Sequence, residues 1–240
     1  MINIYQSFFT PEQFIQLDRS FIPFNNLKNK NPELREFPLM KALYDKNKNF
    51  NGYWGLVSWK WKEKTNLDGC KFIEWVEDNP GYDVYHINPY FALTEIDNPF
   101  VDNSHEGMVE FTDLLLRSLG YKFSIRDAVF PLNIISSCSF YVANKKFWNQ
   151  WIGFVETCIE IVKRDEYMNK YMFNDVTIHL GERVINYSFI IERLFGLFLF
   201  LRNSNFKVKH YPYSLRIDDD IYYQFPSLYE KGIELLKKQI

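Results

Sequence analysis

Glu192 and Arg193 sit side by side in a run, Ser188-Phe-Ile-Ile-Glu-Arg-Leu-Phe195, that is otherwise apolar. Charged side chains are rarely buried without partners. Two readings follow: a structural ion pair, which the spacing alone favours, or a carboxylate lining a site. A second cluster is Asn31-Pro-Glu-Leu-Arg-Glu36, which follows an Asn- and Lys-rich loop. At the mouth of a helix, Asn31, Glu33 and Arg35 would meet free backbone N–H groups, a setting that suits phosphate; a solvated helix start is the plainer reading. The third cluster is Trp54-Gly-Leu-Val-Ser-Trp-Lys-Trp-Lys-Glu-Lys-Thr65. Ser58, Lys60, Lys62 and Lys64 lie at the carboxyl end of an apolar run, where open α/β sheets bind ligands. If the chain stays extended there, the three lysines share one side and Trp59 and Trp61 the other. Such a cationic side suits a diphosphate, and equally suits an edge strand protected by lysines.

Two acidic features remain. Asp218 and Asp220 have an Asp-x-Asp spacing able to hold Mg²⁺ or Mn²⁺ on a diphosphate, but they follow the last apolar run and read as a solvated turn. Asp97, Asp102, His105 and Glu106 fall in a long polar stretch over 91–107 and are candidates for a general base. His86, His105, His179 and His210 are scattered, and Cys70, Cys138 and Cys158 lack metal-ligand or Cys-x-x-Cys spacing. The thiols read as buried bystanders of a reducing compartment. No glycine-rich phosphate loop, zinc-protease helix or nucleophile elbow is present.

The elements that must position these groups follow from periodicity. Strands are expected at 2–5, 53–59 (apolar throughout, hence buried on both faces), 82–87, 134–143 and 206–210. Helices are expected from Pro11, from near Pro32 with Pro38 kinking it or delaying its start, around Phe72 to Val76, and over 108–119, 145–163, 183–201 and 227–238. Strands alternating with helices imply an α/β fold, a mainly parallel sheet flanked by helices, here in one domain spanning 1–240.

Composition narrows the function classes. The chain has 240 residues, a net charge of −2 and no extended basic stretch, so nothing points to nucleic acid. No run is long and apolar enough for a transmembrane segment, and no signal peptide is visible, so a cytoplasmic protein is expected, with the inner membrane face as a peripheral location. Aromatic residues make up 19% of the chain, which AT-rich coding explains better, taken alone, than ring stacking on sugars or bases does.

Taken in order, the chain resembles bacterial glycosyltransferase-like proteins of capsule and O-antigen loci. The matching pieces are Phe21-Ile-Pro-Phe-Asn-Asn26, Glu33-Leu-Arg-Glu36, Tyr53-Trp-Gly-Leu-Val-Ser-Trp-Lys60 with Glu63-Lys-Thr65, Asp83-Val-Tyr-His-Ile-Asn-Pro89, Ser139-Phe-Tyr-Val-Ala-Asn-Lys-Lys-Phe-Trp148 and Phe189-Ile-Ile-Glu-Arg-Leu-Phe195. The resemblance implies a nucleotide-diphospho-sugar transferase (GT-A-like, Rossmann-related) fold. It also implies a UDP- or GDP-linked sugar donor and a glycan or lipid-linked glycan acceptor of a surface polysaccharide or lipopolysaccharide. It makes Asn31, Glu33, Arg35, Ser58, Lys60 and Lys64 donor-binding candidates, and Glu192, Arg193 and Glu106 catalytic ones. The chain departs from better-known relatives in lacking a mid-chain Asp-x-Asp. Mg²⁺ or Mn²⁺ and a metal-independent mechanism therefore both stay open, the lysines and Arg35 being the natural substitutes for a metal on the leaving group. The competing functions are a non-catalytic carbohydrate-binding or glycan-assembly protein on a degenerate transferase fold and, more weakly, a nucleotidyltransferase.

Overall fold

A computed structural model describes residues 1–28, 31–89, 98–101, 105–136, 138–179, 182–202 and 205–211. The chain opens with strand β1 (Ile2–Phe8), and the Thr10 hydroxyl caps the short helix α1 (Pro11–Ile15). Strand β2 (Ile22–Asn25) then pairs parallel to β1 on one side, and β3 (Tyr53–Ser58) parallel on the other. Strands β4 (Val84–His86), β5 (Tyr141–Ala143) and β8 (Val208–His210) complete a six-stranded sheet in the order β2-β1-β3-β5-β4-β8. Only β5 runs antiparallel to its neighbours, so the sheet is mixed but mainly parallel. The carboxyl ends of β1, β2, β3, β4 and β8 therefore lie along one edge.

Alternation along the strands splits the core between two faces. On one, Tyr5, Trp54, Leu56 and Tyr141 pack under α2 (Glu36–Lys46), α5 (Met108–Ser118), α6 (Lys145–Arg164) and α8 (Asn186–Leu201). On the other, Ile4, Val57, Tyr85 and Val142 pack under α3 (Trp61–Thr65) and α4 (Gly69–Asp78). Helix α7 (Glu166–Phe173) and a hairpin of β6 (Val176–His179) and β7 (Glu182–Ile185) connect α6 to α8. Trp148 of α6 stacks on Trp54, ring centroids 3.9 Å apart and 11° from parallel, and its indole N–H reaches the carbonyls of Trp54 and Ala143 at 3.0 and 3.1 Å. One side chain thus clamps β3 to β5, where the strand direction reverses.

The aromatic residues are spent in this core: Trp54, Trp61, Trp148, Trp151, Tyr85 and Tyr141 are all fully buried. Several expected elements differ. The strand read over 134–143 is a strand only at Tyr141–Ala143; before it, residues 134–136 and 138–140 bury their side chains, and the Phe140 carbonyl still accepts from the Ile87 N–H at 3.1 Å. The helix read from 183 starts at Asn186, because Glu182–Ile185 pairs with β6. The helix read from Pro32 divides into a 3₁₀ turn, Pro32–Leu34, and α2 from Glu36, so that Pro38 falls in the first turn, where its missing N–H is not needed. The terminal helix read over 227–238 lies outside the described residues.

Asp83, just before β4, ties together the neighbouring strands β5, β4 and β8 at one end of the sheet. Its carboxylate accepts from the Lys207 N–H at 2.9 Å, the Asn144 amide at 2.8 Å and the Lys146 ammonium at 3.3 Å. Burial works against ionisation, yet these donors hold the carboxyl below its usual range. Lys146 is half-exposed, and exposed ion pairs contribute little. Asp83→Ala should therefore destabilise the protein by about 2 kcal/mol, and Lys146→Ala by under about 1 kcal/mol, both read as shifts in chemical denaturation; equal costs would assign the stability to the ion pair instead.

Candidate active site

The row Tyr5, Leu56, Tyr141, His86 and His210 crosses the sheet on the α8 side. Two residues further along each strand, towards the carboxyl edge, stand Ser7, Ser58, Ser139 and Asn88, all buried. The apolar core thus gives way within one step to a polar shelf. Ser58 is 8% exposed, and its Oγ has no hydrogen-bond partner among the described residues; the buried Nδ2 of Asn26, just past β2, has none either. Unsatisfied buried groups are uncommon and call for a physical reason.

Helix α8 lies over this edge. At its start Asn186 accepts from the Thr177 hydroxyl at 2.7 Å and donates to the Tyr171 carbonyl at 3.1 Å, which joins it to β6 and α7. Further along, Phe195 stacks on Tyr141 with centroids 4.5 Å apart and 21° from parallel, and lies 5.3 Å from the His86 ring. Glu192 is one turn before Phe195 on the same side of the helix. It is half-buried, and desolvation pushes its carboxyl from an ordinary 4.5 up to about 7; Lys64 opposes that most strongly, Glu36 adds to it, and Arg193 and Arg35 lower it.

Lys64 arrives from the opposite half of the chain. Gln6, itself buried, donates to the Ser58 and Trp59 carbonyls at 3.1 and 3.4 Å and fixes the exit of β3. Trp61 then drops into the core against Phe21, Phe72 and Phe140, its indole N–H on the Leu67 carbonyl at 2.9 Å, and the chain curls into α3. This overturns the extended reading of the three lysines. Helical geometry separates them: Lys60 pairs with Glu63 at 3.7 Å over the Trp59 ring, Lys62 with Asp68 at 2.6 Å, and Lys64 alone turns inwards to the Cys138 sulfur at 3.6 Å.

Arg35 precedes α2 with φ 46° and ψ −121°, a conformation that costs a non-glycine residue energy. It is half-buried, whereas Asn31 and Glu33 are exposed and do not number among the charges acting on Glu192. Arg193 is no ion-pair partner of Glu192: adjacent helical residues diverge, and its guanidinium instead donates to the carbonyls of Pro99 at 2.8 Å and Phe189 at 3.2 Å. Glu106 is exposed ahead of α5, its backbone carbonyl taken by the Tyr171 hydroxyl at 3.0 Å. Asp97, Asp102, Asp218 and Asp220 lie outside the described residues.

Lys64 and Arg35 therefore lie close enough to Glu192 to act on its charge, whereas Lys60, Asn31, Glu33 and Glu106 are not among the groups that do. Two further groups of this locality carried no assigned role in the sequence reading. Glu36 sits within the helix-mouth run, but its electrostatic effect on Glu192 spans most of the chain. Cys138 carries no motif. The remaining titratable groups at this edge are held neutral by burial: His86 is pushed down to about 3 and His210 to about 4, while Cys138 is pushed up to about 12. Among the described residues no three His, Cys, Asp or Glu side chains converge to hold a metal ion. No helix among them is long and apolar enough to cross a membrane.

A carboxyl whose folded pKa exceeds its unfolded one favours folding at low pH and loses that contribution as pH rises through the folded value. Glu192→Gln should accordingly stabilise the protein at pH 8, by on the order of 2 kcal/mol, with the gain shrinking as pH falls towards 5. Thermal unfolding across that range checks it; a gain independent of pH would mean that Glu192 ionises like an ordinary surface glutamate.

No protein-family model and no curated protein matches the sequence. Among solved structures the chain is similar to the apo form of WbbM, a bifunctional glycosyltransferase, with a TM-score of 0.51, 14% sequence identity, and coverage of 88% of this chain and 44% of that one. The chain thus spans under half the length of that protein, and the likeness establishes a glycosyltransferase-like fold.

Proposed function

We propose that the protein is a glycosyltransferase that moves a sugar from a nucleoside-diphosphate sugar, UDP- or GDP-linked, to a glycan or lipid-linked glycan acceptor of a surface polysaccharide or lipopolysaccharide. The observation that carries this reading is one desolvated carboxyl, Glu192, within the electrostatic reach of two cations, Lys64 and Arg35, on a mainly parallel sheet. The fold of a known glycosyltransferase supports it.

The chemistry asks for two things. The acceptor hydroxyl must lose its proton as its oxygen attacks the anomeric carbon, and the electron pair of the breaking C–O bond must be accommodated on the departing diphosphate. A carboxyl titrating near 7 is matched to the first task, since general bases work best with a pKa near the working pH. Lys64 and Arg35 answer the second as fixed positive charge beside the leaving group, in a setting that excludes part of the water. Ser58 Oγ and Asn26 Nδ2 hold hydrogen-bonding capacity beside them for hydroxyl or carbonyl groups of the donor.

The test is transfer or donor hydrolysis against a panel of nucleotide sugars. The rate should climb with pH to a plateau above about 7. Glu192→Gln should lower kcat by about 10²- to 10⁴-fold, and Lys64→Met or Arg35→Met by roughly 10²-fold. Lys60→Met should leave it unchanged. Failure of every donor to bind at millimolar concentration ends the proposal, and glycan binding without nucleotide binding would mark a carbohydrate-binding protein on the same fold.

A further inference from the structure

The cation that acts most strongly on Glu192 sits at the end of a flexible chain, so something must hold it. Lys64 is half-buried, and its ammonium donates to the Cys138 sulfur at 3.6 Å while lying 5.8 Å from the centre of the Phe140 ring. Cys138 is 2% exposed and packs in the aromatic cluster with Trp61, Phe72 and Phe140. Its sulfur is therefore a fixed point, whereas a lysine side chain loses rotamer entropy when held in one place. A thiol sulfur is a weak acceptor, and an ammonium over an aromatic face adds an attraction of its own. Lys64, Glu192 and Glu36 all act electrostatically on the Cys138 thiol, so the four groups share one locality.

We propose that Cys138 is a positioning residue: its buried sulfur, with the Phe140 ring, holds the Lys64 ammonium facing the Glu192 carboxyl, and the ionisation of Glu192 depends on that hold. Cys138 itself takes no part in proton transfer, because burial keeps the thiol protonated, up to about 12. The charged groups that act on Glu192 are Lys64 from α3, Glu36 at the start of α2 with Arg35 before it, and Arg193 on α8 itself. Arg193 is anchored on the Pro99 carbonyl, and Arg35 belongs to the backbone turn at the helix start. Lys64 is thus the cation whose distance from Glu192 is set by a side-chain contact. With the sulfur removed the ammonium is held less closely, its attraction for the carboxylate weakens with distance and dielectric, and the carboxyl holds its proton to higher pH. The inference takes its catalytic meaning from the reading of Glu192 as a base, but the electrostatics are measurable without any substrate.

The experiment is a carbon-13 NMR titration of glutamate side-chain carboxyls in the full chain, with the Glu192 signal assigned by its loss in Glu192→Gln. Lys64→Met should move the Glu192 midpoint upward by about one unit. Cys138→Ala should move it in the same direction by part of that amount, and Cys138→Ser, whose hydroxyl also accepts from an ammonium, should bring it back towards wild type. Thermal midpoints of the variants verify that each is folded. A Glu192 titration unmoved by Cys138→Ala in a folded protein, or equal in the Ala and Ser variants, overturns the proposal, as does one unmoved by Lys64→Met. These shifts appearing in a protein that transfers no sugar would sink the transferase reading and leave the positioning role standing.

Discussion

The contact on which the candidate site depends is Phe195 stacked on Tyr141. Tyr141 is the first residue of the antiparallel strand in the middle of the sheet, and Phe195 lies midway along α8, the helix that closes the carboxyl edge. Burying two large aromatic faces stabilises by several times what an exposed ion pair can, so the ring pair decides where the helix lies and the charges adjust to it. The backbone allows the approach at Gly196, the next residue, where a side-chain carbon would come within 3.0 Å of the Ile134 carbonyl oxygen. One turn before this anchor, Glu192 has little freedom to retreat into solvent. Its desolvation is a consequence of aromatic packing.

The groups that meet Glu192 are held by equally local causes. Lys64 is turned inwards because Trp61, three residues earlier, is driven into the core and winds the chain into a helix. Arg35 is presented at the start of α2 by a backbone conformation that would relax if the flanking turn and helix did not hold it. The two cations come from the first half of the chain and the carboxyl from the second. None of the three is paired with the others in the manner of a structural salt bridge, which distinguishes them from Lys60 with Glu63 and Lys62 with Asp68 on the surface nearby.

Much of the frame was legible in the sequence, and the reasons it was not fully legible are specific. The strand at 53–58 announces itself by an unbroken apolar run, and α5 and α6 by their apolar periodicity. The segment before Tyr141 is as apolar as a strand, yet among its described residues burial goes with little pairing beyond the Phe140 carbonyl on the Ile87 N–H, and such burial leaves no trace in periodicity. The α3 turn was hidden for the opposite reason: alternating Trp and Lys imitates a strand, and what breaks the alternation is the tertiary pull of the aromatic cluster on Trp61. Glu192 and Arg193 stood out in sequence as one pair because they are adjacent. The fold assigns them opposite tasks, one turned to the cluster and one to a loop carbonyl, since neighbours on a helix cannot face the same way.

The charge arrangement has a consequence for how a donor and a base would share one site. Lys64 serves two anions on the proposed reading, the Glu192 carboxylate and the diphosphate, and electrostatic coupling of this kind is reciprocal. A bound diphosphate raises the pKa of Glu192 by adding negative charge nearby, while an ionised Glu192 weakens the hold of Lys64 on the diphosphate. Arg35 eases that conflict: a second cation lets the donor be bound without drawing all of the charge of Lys64 away from the base. Glu36 has the opposite sign and raises the pKa of Glu192. Removing Glu36 would thus make Glu192 a weaker base that is ionised over a wider pH range. The pair of carboxyls works as a balance between basicity and the fraction ionised, with the cations setting where that balance falls.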